Sequence, residues 1–273
     1  MKFNVICGTP RSGSTLLCNI LNQNPLFKAS STSCLAQSVR SLSNLWSNSP
    51  EVKSDLIGDK EGTEARLVRS ARAMVEAWYG DSDAEVIFDK GRLWNHSPMV
   101  LKQLFPEAHQ FVCIRDLREI LASIEKQHAK NPMLDEAQNP LELTTFNRAD
   151  RLFSPQGIVG SQIIGVEDLM RRKLPNVHII QYETLVQNPK LVIDSIYTVL
   201  GADAYEHDFS NVEKTATDVD GLYLGKFPHE GTGEVKPPEN DWRDHVPTDI
   251  AGLLMERFQA FNQAFGYRPL QQS

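Results

Sequence analysis

The sequence is poor in cysteine and lacks any long hydrophobic run. Four cysteines occur among its 273 residues, and none of them forms a C-x-x-C pair. This scarcity argues against a zinc site and favours a reducing compartment. No apolar stretch approaches the roughly 18 residues of a membrane-spanning helix, and the first residues are too few for the apolar core of a secretion signal. We therefore expect a cytoplasmic protein without a membrane segment.

Positive charge is also in deficit. Lys and Arg number 28 against 35 Asp and Glu, which gives a formal net charge of −7. Such a balance argues against general nucleic-acid binding, although a local basic pocket could still hold an anionic cofactor. Hydrophobic residues make up 41% of the chain, enough for a sizeable core. Because no linker or repeat divides the sequence, we expect residues 1–273 to form one globular domain.

Short apolar segments alternate with amphipathic ones along the chain. This alternation predicts an α/β fold in which a mostly parallel sheet is covered by helices on both faces. Ligands of such sheets bind at the carboxyl ends of the strands. The polar stretch Lys28–Cys34 is predicted to be a loop, and residues 47–60 are predicted to be an exposed connection. A single final helix is predicted to begin at Thr248. The predicted strands are Lys2–Cys7, Glu85–Asp89, Gln110–Ile114 and Val177–Gln181.

The segment between the first strand and the first helix carries the strongest functional signal. Gly8 to Gly13 is a turn with two glycines, and helical spacing of apolar residues begins at Ser14. A helix start exposes unpaired N–H groups, and a glycine lets the backbone approach a phosphate closely. The spacing fits the phosphate-loop pattern G-x-x-x-x-G-K-[ST], except that Ser14 stands where the pattern has lysine. An ordinary strand–turn–helix joint is the plain alternative, but an arginine and two hydroxyls in the string favour an anion site.

The string around this turn resembles the 5′-phosphosulfate loop of sulfotransferases that use 3′-phosphoadenosine 5′-phosphosulfate (PAPS). It is most similar to the Pro-Arg-Ser-Gly-Thr-Thr-Leu version of tyrosylprotein and many bacterial sulfotransferases. The resemblance implies a P-loop-like three-layer fold that transfers a sulfuryl group from PAPS to a hydroxyl or amine without a metal, leaving adenosine 3′,5′-bisphosphate (PAP). It implies a catalytic role for Arg11, and donor binding by Thr9, Pro10, Arg11, Ser12, Gly13, Ser14 and Thr15.

Later segments extend the resemblance. Lys90 follows a predicted strand and corresponds to a lysine that contacts the sulfuryl group in several branches of the family, which implies a catalytic role. The string from Arg115 to Ser123 matches the family's 3′-phosphate motif R-D-x-R-x-x-x-x-S, so both residues are expected to bind that phosphate. Tyr182, after the last central strand, and Lys236, in a late loop that closes over the nucleotide in the family, are further expected donor contacts.

The general base is the point at which the sequence departs from this resemblance. The Pro-Arg-Ser-Gly branch has a glutamate shortly after the first helix, whereas Lys28–Cys34 contains no carboxylate and no histidine. His229 is the first candidate, because it lies in the late loop and its unperturbed pKa suits a base. Asp89 and His96 follow, since they flank Lys90. A surface position without catalytic function is the plain alternative for each histidine.

Two other interpretations stay open from the sequence alone. A nucleotide kinase or triphosphatase would use Asp89 to bind magnesium after a Walker-B-like strand, although the missing loop lysine argues against it. A protein that binds PAP or PAPS without catalysing transfer is the second alternative. For an enzyme, a small-molecule or carbohydrate acceptor is favoured over a peptide tyrosine, and no nucleic-acid or membrane partner is expected.

Overall fold

A parallel β-sheet organises the molecule. The computed structural model describes residues 1–130, 144–216, 233–239 and 241–268. Within these residues five strands form one sheet in the order β2-β3-β1-β4-β5, and every neighbouring pair is parallel. The alternation of strands and helices therefore predicted the fold class and four of the five strands correctly. The strands are β1 (Lys2–Gly8), β2 (Phe27–Thr32), β3 (Val86–Lys90), β4 (Gln110–Ile114) and β5 (Val177–Gln181).

Helices cover both faces of the sheet. Side chains of successive strand residues point to opposite faces, so β1 contributes Val5 to one core and Ile6 to the other. The first core packs under α2, α4, α5, α6 and α8, and the second packs under α1 and α10. The helices are α1 (Ser14–Leu21), α2 (Leu35–Asn48), α3 (Pro50–Gly58), α4 (Lys60–Trp78), α5 (Pro98–Leu104), α6 (Leu117–Lys130), α7 (Thr145–Leu152), α8 (Gly160–Arg172), α9 (Tyr182–Gln187), α10 (Pro189–Leu200), α11 (Thr248–Arg257) and α12 (Gln259–Ala264).

The strand order creates a crevice at the centre of the sheet. β1 pairs with β3 on one side and with β4 on the other, so the chain leaves its carboxyl end at a point where the strand order reverses. A crevice opens beyond the carboxyl ends of the strands at such a point. The loop from Gly8 to Gly13 lies at this place. Cys7 and Cys113 are buried in β1 and β4, as expected for free cysteines in strands.

The strand β2 was missed from the sequence. Most of Phe27–Thr32 falls in the stretch Lys28–Cys34, which was expected to be a loop because it contains lysine, serine and threonine instead of an apolar run. Among the described strands it pairs with β3 alone, at the edge of the sheet, and the Asn22 side chain bonds the backbone of Ala29. Its register shifts between Ala29 and Thr32, which places an irregularity in the strand beside Lys90.

Three local expectations also need correction. The connection over residues 47–60 contains α3, which has no buried residue but begins with a Ser49 cap that accepts from the Val52 N–H. The predicted final helix is divided at Phe258 into α11 and α12. The pair Asn188-Pro189 predicts a side-chain cap at the start of α10, but the Asn188 side chain makes no capping hydrogen bond. None of the described helices is long and apolar enough to span a membrane.

Candidate active site

The loop after β1 is fastened to β4 by its backbone. Gly8 has φ +123°, and a Cβ there would lie 1.9 Å from the carbonyl oxygen of Cys113. The Thr9 N–H donates to that same oxygen at 2.9 Å. The Ser12 hydroxyl is fully buried and lies 2.6 Å from the Thr9 oxygen and 2.9 Å from the Cys113 oxygen. The Ser12 side chain therefore stabilises the loop through these two carbonyl oxygens. Any contact between Ser12 and a bound nucleotide would come from its backbone.

The second half of the loop turns the chain into α1. Gly13 has φ +81° and is the residue before α1, and a Cβ there would lie 2.6 Å from the Tyr182 ring. Arg11 also has a positive φ, of 59°, a conformation that side chains other than glycine adopt rarely. The Nε of Arg11 donates to the Ser123 hydroxyl on α6 at 3.0 Å. The two residues that were expected to bind different phosphates are thus in direct contact.

Lys90 reaches the same loop from the neighbouring strand. It is the last residue of β3, and only 6% of its surface is exposed. Its Nζ donates to the Thr15 hydroxyl at 2.8 Å. The carboxyl ends of β1 and β3 therefore bring a buried ammonium group to the start of α1, where the helix dipole also favours an anion.

Arg115 projects from the carboxyl end of β4 on the other side of the loop. Its guanidinium donates to the Arg11 carbonyl at 3.3 Å and to Glu119 at 3.1 Å, and it lies 4.2 Å over the Tyr182 ring. The Nε of Arg115 is buried and has no hydrogen-bond partner among the described residues. A buried charged donor without a partner is costly, so this atom marks the place where an anion would complete the site.

Glu119 is a site residue that the sequence did not indicate. One oxygen accepts from Arg115 and the other accepts from the backbone N–H of Trp242 at 3.1 Å. Burial raises the pKa of Glu119 above its usual value, and the Arg115 guanidinium offsets part of that rise. The i,i+4 spacing of Glu119 from Arg115 could have suggested the pair, whereas its bond to the distant Trp242 has no local signal.

Most of these groups line one cleft of about 810 Å³, whereas Ser12 and Lys90 lie behind its lining. Lys236 lies on its rim and pairs with Glu234 at 3.5 Å and Glu239 at 3.4 Å. The cleft also contains Lys126 and Gln127 from α6, which the sequence did not suggest although they follow Ser123 by about one helical turn. Eight of the expected site residues line it, namely Arg11, Gly13, Ser14, Thr15, Arg115, Ser123, Tyr182 and Lys236.

The remaining expected residues stand apart from this lining. Thr9 is buried beneath the loop, and its hydroxyl has no hydrogen-bond partner within the described part of the chain. Pro10 is partly exposed in the loop. His96 is exposed, with its ring against Gly165, and partial desolvation followed by the charge of Arg40 lowers its pKa. His229 lies outside the described residues.

Asp89 does not face the cleft. Its side chain lies on the Val5 face of the sheet, is fully buried, and accepts from the Tyr79 hydroxyl at 2.5 Å and the Trp94 indole at 2.7 Å. Burial raises the pKa of Asp89 despite the hydrogen bonds that it receives. In the parts of the chain that the structure describes, no group of three or more His, Cys, Asp or Glu residues could hold a metal ion.

Comparison with known proteins identifies the family. A model described as the sulfotransferase family matches residues 5–207. This chain belongs to the sulfotransferase family. It is 24% identical to protein-tyrosine sulfotransferase 2 of Gallus gallus over 261 residues, and the match covers 92% of this chain. The chain spans 65% of the length of that relative.

Solved sulfotransferase structures share the fold. The sulfotransferase domain of the Synechococcus PCC 7002 olefin synthase has a TM-score of 0.60 at 17% identity, with 98% of this chain and 95% of that chain covered. A mouse sulfotransferase, SULT7A1, complexed with PAP, has a TM-score of 0.56 at 13% identity, with 96% and 84% covered. The P-loop-like α/β architecture expected from the sequence is therefore confirmed.

Proposed function

We propose that this sulfotransferase-family protein transfers a sulfuryl group from PAPS to a hydroxyl acceptor by in-line displacement. The observation that carries the proposal is the buried Nε of Arg115, which has no hydrogen-bond partner among the residues that the structure describes. It lies beside a glycine loop, so two anion positions are adjacent in one cleft. A nucleotide that carries phosphate groups at both its 3′ and 5′ positions would satisfy the two together. The PAP complex of the mouse relative supports the same donor.

Each cation at this site has a separate role in this proposal. Arg115, with the Ser123 hydroxyl, would hold the 3′-phosphate, because a guanidinium donates two hydrogen bonds in the plane of an anion. The loop N–H groups, Arg11 and Lys90 would surround the sulfuryl group. Bound PAPS supplies an electrophilic sulfur, and negative charge builds on the oxygen that links it to the departing nucleotide. Preorganised donors at that oxygen lower the barrier.

The kinase alternative finds little support in the site. A magnesium ligand on a Walker-B-like strand must face the phosphates, whereas Asp89 is fully buried on the opposite face from Lys90. The loop also has Ser14 where phosphate-loop nucleoside triphosphatases have lysine. A protein that binds PAP without catalysis would use the same cleft, so only a transfer assay separates it from an enzyme.

The acceptor that we propose is a small molecule or a carbohydrate hydroxyl. A peptide tyrosine, the acceptor for which the Gallus gallus relative is named, is the alternative to be tested alongside. The compartment that we propose is the cytoplasm, because the chain contains only four cysteines and they are free in the structure.

Calorimetry with PAP and with ATP, each with and without magnesium, tests the donor. We expect PAP to bind far more tightly than ATP, and its affinity to be independent of magnesium. Equal affinities, or binding only in the presence of magnesium, would overturn the proposal. Incubation with ³⁵S-labelled PAPS and a panel of hydroxyl compounds then separates an enzyme, which forms labelled product, from a binding protein, which does not.

A further inference from the structure

A second buried nitrogen without a partner lines the cleft that contains Arg115. It is the Nε2 atom of His245, which, like the Nε of Arg115, has no hydrogen-bond partner among the described residues. The roles proposed above leave this histidine unused. A buried polar atom without a partner is costly, so the two nitrogens mark places that a bound molecule would fill.

The position of His245 follows from contacts between its turn and α6. His245 comes directly after a short 3-10 helix, Trp242–Asp244, and its N–H donates to the carbonyl of the buried Trp242 at 3.1 Å. The Trp242 N–H donates to one oxygen of Glu119, and the other oxygen of Glu119 accepts from Arg115 at 3.1 Å. These contacts fasten the turn that carries His245 to the beginning of α6, next to Arg115.

This placement separates His245 from the residue that reaches the loop from β3. Lys90 is the last residue of β3, on one side of β1, whereas Arg115 and α6 follow β4 on the other side. His245 belongs to the second group, because its turn is bonded to Glu119 on α6. The 3′-phosphate that we assign to Arg115 lies on that same side of the cleft.

We propose that the His245 side chain binds the 3′-phosphate of the donor together with Arg115, and that protonation of His245 strengthens this contact. The inference rests on the proposed function. An imidazole nitrogen that carries a hydrogen donates to a phosphate oxygen, and the protonated ring adds a positive charge to that hydrogen bond. A histidine gains its second ring proton between about pH 8 and pH 5, so the affinity for PAP should rise as the pH falls through this range.

The charged groups around this turn leave the Nε2 of His245 available to a ligand. Five carboxylates there already have cationic partners: Glu119 pairs with Arg115, Asp116 with Arg118, Glu234 and Glu239 with Lys236, and Asp241 with Arg243. Lys126 and Lys214 also line the cleft, and Asp244 is exposed directly before His245. Within the described chain none of the carboxylates is bonded to Nε2, so the 3′-phosphate would be its first anionic partner.

The test compares the wild type with His245→Gln and His245→Leu. Glutamine keeps an N–H that can bond a phosphate but cannot gain a proton, and leucine does neither. Calorimetry at pH 8 and pH 6 measures the affinity for PAP and for adenosine 5′-phosphosulfate, which has no 3′-phosphate. Burial raises the pKa of Glu119, so this carboxylate also loses charge toward lower pH, as does the phosphate itself. The contribution of His245 is therefore the difference between the wild type and His245→Gln.

We expect a distinct pattern from each variant. A hydrogen bond to a charged group corresponds to about 10- to 150-fold in affinity, so His245→Leu should lose at least about tenfold for PAP at pH 6. His245→Gln should stay within about threefold of the wild type at pH 8 and gain less affinity than the wild type at pH 6. Neither variant should change the affinity for adenosine 5′-phosphosulfate by more than about twofold. Asp244→Asn, at the exposed neighbouring residue, is the matched control and should bind PAP as the wild type does.

Three results would overturn this inference. The first is an unchanged affinity of His245→Leu for PAP, and the second is an equal loss for both nucleotides. The third is loss of turnover with unchanged affinity for PAP, which would make His245 a base for the acceptor. If His245→Leu does not fold, as judged by its thermal midpoint, an identical pH dependence in His245→Gln and the wild type is the result that overturns it. If the wild type itself does not bind PAP, the proposed function fails instead.

Discussion

Arg115 gives the sharpest test of the donor site, through the substitution Arg115→Ala. The change removes the buried Nε that has no hydrogen-bond partner within the described chain. It also removes the rest of the guanidinium group, which lies over the Tyr182 ring. A hydrogen bond to a charged group contributes about 1.5–3 kcal/mol, and about 1.4 kcal/mol corresponds to a factor of ten in affinity. We therefore expect PAP to bind about 10- to 150-fold more weakly. The upper end is favoured because Glu119 would lose its cationic partner and remain beside the 3′-phosphate.

The assay compares two adenosine nucleotides, of which only PAP carries a 3′-phosphate. Calorimetry with PAP should show the full loss, whereas adenosine 5′-phosphosulfate, which has no 3′-phosphate, should bind with nearly unchanged affinity. Arg115→Lys keeps the charge but loses the planar fork, so its loss for PAP should be intermediate. Circular dichroism and the thermal midpoint of each variant report whether the contacts of Arg115 with Arg11 and Glu119 also support the fold.

Two results would refute this reasoning. Similar losses for both ligands would mean that Arg115 binds the 5′ group or only shapes the loop. An unchanged affinity for PAP, in a variant with a normal thermal midpoint, would mean that the unpartnered Nε does not face the 3′-phosphate at all.

Three more outcomes follow from the same geometry. Arg11→Ala and Lys90→Ala should lower kcat by more than they weaken PAP binding, since both groups act on charge that develops during transfer; a change confined to affinity would contradict this. Gly8→Ala should destabilise the protein by more than the ~1–3 kcal/mol of backbone strain alone, because its Cβ would meet the Cys113 carbonyl. Gly201→Ala, also at positive φ but in open space, is the control and should cost only about 1–2 kcal/mol in urea unfolding. Glu119→Gln should tighten PAP binding by roughly two- to fivefold, about 0.5–1 kcal/mol, and weaker binding would show that its charge orients Arg115.

The sequence predicted those parts of the molecule that depend on local patterns. Apolar runs marked β1, β3, β4 and β5, and the glycine spacing marked the loop that lies at the centre of the crevice. The family and the fold class were also predicted correctly. Eight of the expected site residues line one cleft, although their assignment to the donor stays a prediction.

The parts that the sequence missed depend on contacts between distant residues. β2 is polar and pairs with β3 at the sheet edge, so no local apolar run marked it. Asn95 donates to the Gly8 carbonyl at 3.1 Å and to Gln162 on α8 at 2.9 Å, and nothing in its neighbourhood in the sequence indicates that it supports the loop. Asp89 was a candidate base in the sequence, but only the fold reveals that it is enclosed and bonded to Tyr79 and Trp94, on the face of the sheet opposite Lys90.

The contacts between the loop and β4 fix the position of the loop relative to the carboxyl end of that strand. The carbonyl of Cys113 accepts from Thr9 and lies within reach of the Ser12 hydroxyl, and Arg115 follows Cys113 by two residues in the chain. Backbone pairing and the register of two central strands therefore fix the loop relative to the Cα of Arg115. If the two proposed anion positions bind phosphates, a nucleotide whose second phosphate is displaced by a single carbon of the ribose should bind more weakly than PAP.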